Sequence, residues 1–384
     1  MLSNNILKSG GLLISLLLCN YLFAQDVATT SFYKHYTGNL DSTMKITVDL
    51  LSQNGKVTGY YYYYFPEPGT DTIFHYGKTI PIEGSISNNS IVINDFKQNI
   101  SKFKGSFNSL DKISGTWYKK PNVKSIPFEL TENYSNGSLA LSCYTLSDQY
   151  FLLQGDRSKK KSPKANINIT LLYPDISIGD PFKDTTDLII TEILLRESMI
   201  VTSPDKILED IRFDFINSYI RATEGIEDLS STASFNWEKN ITMDVRYNEN
   251  NILSLKIEKY AYTGGAHGIF ITEYITFNSR QKKRLYLEDI FKENFNDELN
   301  SILDKKLREM NGIKAEENLT ESGFFVDKIE STDNFYINND GIGFFYNVYS
   351  IAPYSTGATE LFIQFDELTE LLKNNNPFSW VVKN

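Results

Sequence analysis

Apolar and polar residues alternate in short bursts from Tyr36 to about Glu132, with a turn signal at roughly every tenth residue. Met44 to Leu51 runs into Asn54-Gly55 and resumes as Val57 to Phe65, which Pro66 and Pro68 close. Ile80 to Ile86 leads through Asn88-Asn89 into Ile91 to Phe96. Phe103 to Phe107 and Ile113 to Tyr118 flank Leu110-Asp111, and Ile126 to Leu130 completes the set. A period of two punctuated by such turns predicts antiparallel strands, about seven or eight of them, and suits a small closed barrel with no open sheet edge.

Tyr60 to Tyr64 is five tyrosines in a row within one of these strands. Alternation predicts Tyr60, Tyr62 and Tyr64 on one face and Tyr61 and Tyr63 on the other. One set would fill the barrel. The other would stand exposed as an aromatic ladder able to stack on glycan rings, although strand propensity explains the run equally well.

The period then changes. Ala165 to Tyr173 is predicted as a strand with Ile167, Ile169 and Leu171 on one face. Asp184 to Leu195 and Ser203 to Ala222 are predicted as helices, the second with Ser203 as N-cap and Pro204 at its first position. Its Ile207, Leu208, Ile211, Phe215 and Ile216 recur at helical spacing and bury one face. Phe235 to Asn248 and Ile252 to Ala261 are predicted as a hairpin. Phe270 to Asn278 and Arg284 to Leu287 add strands, and Asn296 to Met310 a helix. Tyr336 to Phe345 is predicted as a hairpin whose Asp340-Gly341 supplies positive φ, Thr359 to Phe365 as the last strand and Glu367 to Lys373 as the last helix.

The expected fold class is therefore α+β: an N-terminal antiparallel β-meander or barrel-like domain over residues 25–140, then an α+β domain with an antiparallel sheet and several helices, 165–374 as one unit. Residues 141–164 are expected as the boundary, because the cationic, turn-rich stretch Gly155 to Pro163 resists packing.

At 384 residues, 41% hydrophobic and 22% charged, the chain is long enough for two domains and too apolar to be disordered. A formal charge of −10 argues against a nucleic-acid partner, since nothing offsets phosphate repulsion. Residues 1–24 read as an export signal: Lys8, an apolar stretch from Gly11 to Leu18, then Leu22-Phe23-Ala24 ahead of Gln25 as the cleavage point. The expectation is a periplasmic or secreted protein. Lipidation at Cys19 is the alternative, disfavoured because Leu18 stands where a small residue belongs. No later stretch reaches the roughly 18 apolar residues of a spanning helix. The other cysteine, Cys143, lies in an apolar run and is expected as a packed thiol, so cleavage would leave no intramolecular disulfide.

Two runs carry candidate chemistry. In Tyr260-Ala-Tyr-Thr-Gly-Gly-Ala-His-Gly268, Gly264 and Gly265 permit a tight turn that displays His267, with Tyr262 beside it. In Tyr346-Asn-Val-Tyr-Ser-Ile-Ala-Pro-Tyr-Ser-Thr-Gly357, Pro353 shapes a loop that offers Tyr349 and Tyr354 as flat rings with hydroxyl tips. His267 reads as a ligand contact or general base, or as a hydrogen-bonding residue with a structural task. With three histidines in the chain, only one of them in this domain, a zinc site would have to rest on carboxylates, and no metal or cofactor is expected. Asn338-Asn-Asp-Gly341 resembles part of a calcium loop, but a hairpin turn suffices. No nucleophile elbow, metalloprotease helix, phosphate-binding loop or paired-cysteine motif is present. The acidic residues do not by themselves mark a pair for glycoside hydrolysis.

The Gly-Gly-Ala-His run, the following Phe277 to Phe291 segment and Ile351-Ala-Pro-Tyr-Ser-Thr-Gly357, in that order, resemble the bacterial domain of unknown function family 3298 (DUF3298) over about 252–374. Residues 165–261 resemble the companion family 4163 (DUF4163), which precedes it in a peptidoglycan deacetylase and in a lysozyme-sensing anti-sigma factor. Where family 3298 continues from the histidine with Pro-Asn, this chain has Gly268-Ile269. The resemblance implies a module outside the cytoplasmic membrane. It brings no catalysis, since the deacetylase chemistry belongs to a further domain, and no signalling. The expected function is an exported cell-envelope binding protein that engages peptidoglycan, another glycan or a protein such as lysozyme. The competing expectation is a carbohydrate-active hydrolase.

Overall fold

The computed structural model describes residues 27–40, 44–66, 69, 74–95, 100–118, 125–153, 162–195, 203–226 and 232–378. The expected export signal with Cys19, Pro68, Phe96 and most of the Gly155 to Pro163 stretch lie outside the described residues.

Nine strands form the first sheet: β1 (Phe32–Leu40), β2 (Met44–Gln53), β3 (Lys56–Pro66), β4 (Phe74–Tyr76), β5 (Ile80–Ser87), β6 (Ser90–Asp95), β7 (Ile100–Ser109), β8 (Lys112–Trp117) and β9 (Ile126–Glu132). Eight of them, all but the short β4, close an antiparallel barrel, with β2 paired to β3 and β1 to β9. The turns work as their residues dictate: Asn54 (φ 50°), Gly55 (φ 77°) and Asn88 (φ 53°) take the left-handed conformation that tight hairpins need. Tyr36, Ile46, Val48, Leu50, Tyr61, Phe103 and Trp117 fill the interior.

The second sheet contains β10 (Leu141–Phe151), β11 (Lys164–Pro174), β12 (Trp237–Glu249), β13 (Ile252–Tyr262), β14 (Ile269–Asn278) and β15 (Lys283–Arg284). β10 lies inside the segment expected as a linker, yet it pairs with β11 along its full length, from Leu141 opposite Pro174 to Phe151 opposite Lys164. The sheet is also not wholly antiparallel. β11 and β12 run parallel, Ala165 opposite Trp237, because helices α1 (Pro181–Leu195) and α2 (Pro204–Thr223) occupy the connection and return the chain to the same end. Ser203 caps α2 as expected, its side chain accepting from the Lys206 N–H. The two helices bury Phe182, Ile190, Ile211, Phe215 and Tyr219 against one sheet face.

The third layer holds α3 (Leu287–Ile290), α4 (Asn296–Asn311), α5 (Phe365–Leu368) and a small sheet of β16 (Phe335–Ile337), β17 (Gly341–Tyr346) and β18 (Thr359–Gln364). Two expectations are corrected here. Residues Glu367 to Lys373 are not a helix: α5 ends at Leu368, and Leu372 instead forms a bridge with Phe291 while the Lys373 N–H donates to Ile290 O. The β16–β17 turn needs no positive φ at Asp340 or Gly341, because Asn338 Oδ1 accepts from both of their N–H groups. Gly341 is small for another reason: a Cβ there would lie 2.1 Å from Ile363 O.

The two halves are joined through the barrel wall. The outward tyrosines of β3 are not an exposed ladder. Tyr60 and Tyr62 are 8% and 2% exposed, and Tyr62 belongs to the apolar core shared with β16–β18. β2 is likewise buried on both faces, with Ile46, Val48 and Leu50 inward and Thr47, Asp49 and Leu51 under the second domain. Several buried polar groups of this seam pair across it, although the Thr47 and Ser52 hydroxyls on β2 have no partner among the described residues. Tyr33 Oη donates to Asp49 Oδ1 (2.5 Å), His35 Nδ1 lies 2.8 Å from the same oxygen, and Asn248 Nδ2 donates to Tyr33 Oη (2.9 Å). Tyr62 donates to Glu249, whose other oxygen accepts from Asn136 Nδ2 at 2.9 Å.

Candidate functional site

The β13–β14 turn and the loop after β17 are far apart in sequence but meet in space. Their approach is set by two asparagines along β14, which pairs with β15 only at Phe277 and Asn278. Asn347 accepts from Thr272 N at 2.7 Å and donates to Thr272 O at 2.9 Å. Asn334 accepts from Tyr274 N (2.7 Å) and donates to Thr272 O and Phe345 O (3.0 and 3.1 Å). These amides satisfy a strand edge that would otherwise be open, and they pin the second loop beside the first.

Within the turn, Gly264 (φ 90°) and Gly265 (φ 103°) adopt conformations that disfavour any other residue. A Cβ on Gly264 would also lie 3.0 Å from Ser234 O. Tyr262 Oη donates to Gly265 O at 3.1 Å and braces the turn from below. His267 is exposed at the tip, its ring flat on that of Tyr354 with centroids 4.2 Å apart and planes at 23°. Both side chains converge on one carbonyl: Gly268 O accepts from His267 Nδ1 (2.9 Å) and from Tyr354 Oη (3.2 Å). Because a carbonyl only accepts, Nδ1 carries a proton, and in the neutral ring Nε2 is the free acceptor. The partner of Nδ1 is main chain, and it fixes the tautomer that leaves Nε2 open.

Tyr349 continues the surface. It stands at φ 65°, 55% exposed, its ring 5.7 Å from that of Tyr354. Pro353 precedes the short turn Tyr354–Thr356 that carries the tyrosine. Of the seven residues singled out from the sequence, His267, Tyr354 and Tyr349 form a continuous aromatic strip with Pro353 supporting it. Tyr262, Gly264 and Gly265 shape the turn rather than joining the strip. At Gly268, where the resemblance breaks, a Cβ would lie 2.5 Å from the Tyr260 ring, which would have to turn aside.

Elsewhere Cys143 is free and half-buried, and burial pushes its thiol up to about 11, which keeps it protonated and poorly nucleophilic. Among the described residues no three His, Cys, Asp or Glu side chains are grouped to hold a metal ion, and no helix is long and apolar enough to cross a membrane.

Asp244 and Arg246, which sequence reasoning passed over, line a cleft between the two halves. In the sequence they alternate with buried Met243, Val245 and Tyr247, and so look like the solvated face of a strand. The readable signal was a doubled charge on a strand beside a tyrosine-rich barrel.

Residues 288–366 match the family described as Protein of unknown function (DUF3298), and residues 156–270 match the family described as Deacetylase PdaC. The peptidoglycan-N-acetylmuramic acid deacetylase PdaC of Bacillus subtilis (strain 168) is 25% identical over 138 residues, which is 35% of this chain and 29% of that protein. The chain thus spans under a third of the length of this curated relative. A crystal structure of a DUF3298 family member from Bacteroides fragilis NCTC 9343 is 28% identical with a TM-score of 0.55, covering 62% of this chain and 96% of that one. A DUF3298 family protein from Pseudomonas aeruginosa PAO1 is 20% identical with a TM-score of 0.43, covering 62% and 97%. Toward its C-terminus, therefore, the chain carries a DUF3298 domain, and a PdaC-like segment precedes it.

Proposed function

We propose that this protein is an exported binding protein of the bacterial cell envelope that engages the glycan strands of peptidoglycan through the His267–Tyr354–Tyr349 strip and performs no catalysis. The observation that carries this reading is the stack of His267 on Tyr354 at 4.2 Å, with Tyr349 exposed next to it. Flat rings side by side suit the C–H faces of pyranose rings, and Nε2 of His267 gives a sugar hydroxyl an acceptor. Residues 1–24, with their charged start and apolar run, support export. Similarity to a protein named for peptidoglycan supports the choice of glycan.

The test is co-sedimentation of the purified protein with isolated sacculi, beside a His267→Ala, Tyr354→Ala variant and with immobilised lysozyme in parallel. Sedimentation of the wild type and its loss in the variant are expected. Retention on lysozyme with none on sacculi would overturn the glycan reading in favour of a protein partner, and equal sedimentation of the variant would remove this surface.

A further inference from the structure

Away from the His267 strip, the barrel, the six-stranded sheet and the three-stranded sheet enclose a cleft of about 850 Å³, within the size range of small-molecule sites, roughly 300–1,000 Å³. One side of it is built around Arg246. In the β12–β13 ladder Val245 faces Leu255 and Tyr247 faces Ser254, so Arg246 is the extra residue of a β-bulge, and it lines the same cleft as Asp244 two residues before it. Its guanidinium lies between the rings of Tyr60 and Tyr336, 4.6 and 4.3 Å from their centroids. It donates to the Tyr60 hydroxyl and, at 3.3 Å, to Glu360 Oε1, which also accepts from Tyr336 Oη at 2.5 Å. A planar cation clamped between two rings keeps its other N–H groups in fixed directions.

The remaining walls supply both signs of charge in equal number. Lys78, Lys256 and Lys306 join Arg246 on the positive side. Asp244, Glu258, Asp340 and Glu360 oppose them. An ion of either sign therefore gains little from the local field, while donors and acceptors are plentiful. Glu258 is engaged by Lys256 at 2.6 Å and Glu360 by Arg246. Asp244, in contrast, accepts one hydrogen bond among the described residues, from the Val245 N–H at 2.9 Å, and no ion pair reaches it. Phe362, lying nearly parallel to Tyr336 with centroids 6.3 Å apart, adds an apolar ring surface beside these groups.

We infer that this cleft is a second binding site, for a short uncharged oligosaccharide whose hydroxyls donate to Asp244 and accept from the Arg246 and lysine N–H groups while one sugar face lies on Phe362. Balanced charge, unused hydrogen-bonding capacity and an aromatic wall are together what a neutral polyhydroxylated ligand requires. A carboxylate or an amine would meet as much repulsion as attraction. The site draws on the barrel and on both sheets of the second half, and it does not depend on the His267 strip.

The experiment is calorimetric titration of the whole protein with chitotriose, xylotriose and maltotriose, with glucuronate and glucosamine as charged controls. At least one trisaccharide is expected to bind with one-to-one stoichiometry and more tightly than either control. The titrations are run in the His267→Ala, Tyr354→Ala background, which takes the strip out of the reading, and there Asp244→Asn and Phe362→Ala should each weaken that binding at least tenfold. Thermal melting of each variant confirms that it folds, and Asp244→Asn is conservative enough to do so. Absence of heat with every trisaccharide at millimolar concentration, tighter binding of a charged sugar, or binding indifferent to both cleft substitutions would overturn the inference.

Discussion

Tyr62, on the outer wall of the barrel, donates its phenolic hydrogen to Glu249 at the end of β12. Glu249 is 3% exposed, and its partners are neutral donors, Tyr62 and Asn136. A buried carboxylate survives only when hydrogen bonds replace its water. The contact therefore ties the barrel to the second domain through a group that neither half satisfies alone. Tyr62→Phe removes one donor and keeps the ring. It should cost about 1–3 kcal/mol, read as a lower midpoint in urea unfolding. An unchanged midpoint would show that this contact does not hold the halves together.

A second prediction concerns the pair His35 and Asp49 in the same seam. Burial opposes a charge on His35, but the carboxylates of Asp49 and Glu249 outweigh it and raise the imidazole above its ordinary 6.5. The folded chain thus holds this proton more tightly than the unfolded chain. The stabilisation is fully present below the ordinary value and is lost as pH rises through the folded one. The stability difference between wild type and His35→Gln should shrink with rising pH across that interval. A difference that grows with pH would contradict the assignment.

Asp244 gives the opposite kind of test. Burial, only partly offset by Lys256, raises its carboxyl from 3.8 to about 6. The raised value means that its contribution is full below the ordinary carboxylate range and is lost as pH rises through about 6. At pH 7.5 the ionised group therefore costs up to about 3 kcal/mol, at roughly 1.4 kcal/mol per unit. Asp244→Asn should raise the melting temperature at pH 7.5 and change it little at pH 4. Stability gained together with loss of sugar binding would mark a residue kept for its site. A lower melting temperature at pH 7.5 would contradict the burial argument.

The local structure was largely legible in the sequence, and its covering was not. Alternation located the barrel strands, Asn54-Gly55 and Asn88 located their turns, and Ser203 located the start of α2. Alternation also separated Tyr60, Tyr62 and Tyr64 from Tyr61 and Tyr63. It could not say that a second domain covers the outward set, because a strand buried on both faces and one facing water share the same period. β10 was missed for the related reason that pairing with β11 depends on a partner beyond the cationic stretch. Residues 367–373 looked helical by composition, but the bridge from Leu372 to Phe291 turns the chain away. The two runs carrying His267 and Tyr354 stood out by their glycines and aromatics. Their meeting depends on Asn334 and Asn347, whose amides look like ordinary loop polarity. Asp244 and Arg246 were passed over because charges alternating with buried residues look like the solvated face of a strand.

The most direct measurement is incubation of the purified protein with isolated sacculi, reading bound protein and soluble muropeptides together by mass spectrometry. Saturable binding that falls at least tenfold in the His267→Ala, Tyr354→Ala variant, with no cleaved or deacetylated product accumulating over time, is the expected result. Products that increase with time and enzyme concentration, or a double variant that binds like the wild type, would contradict the account.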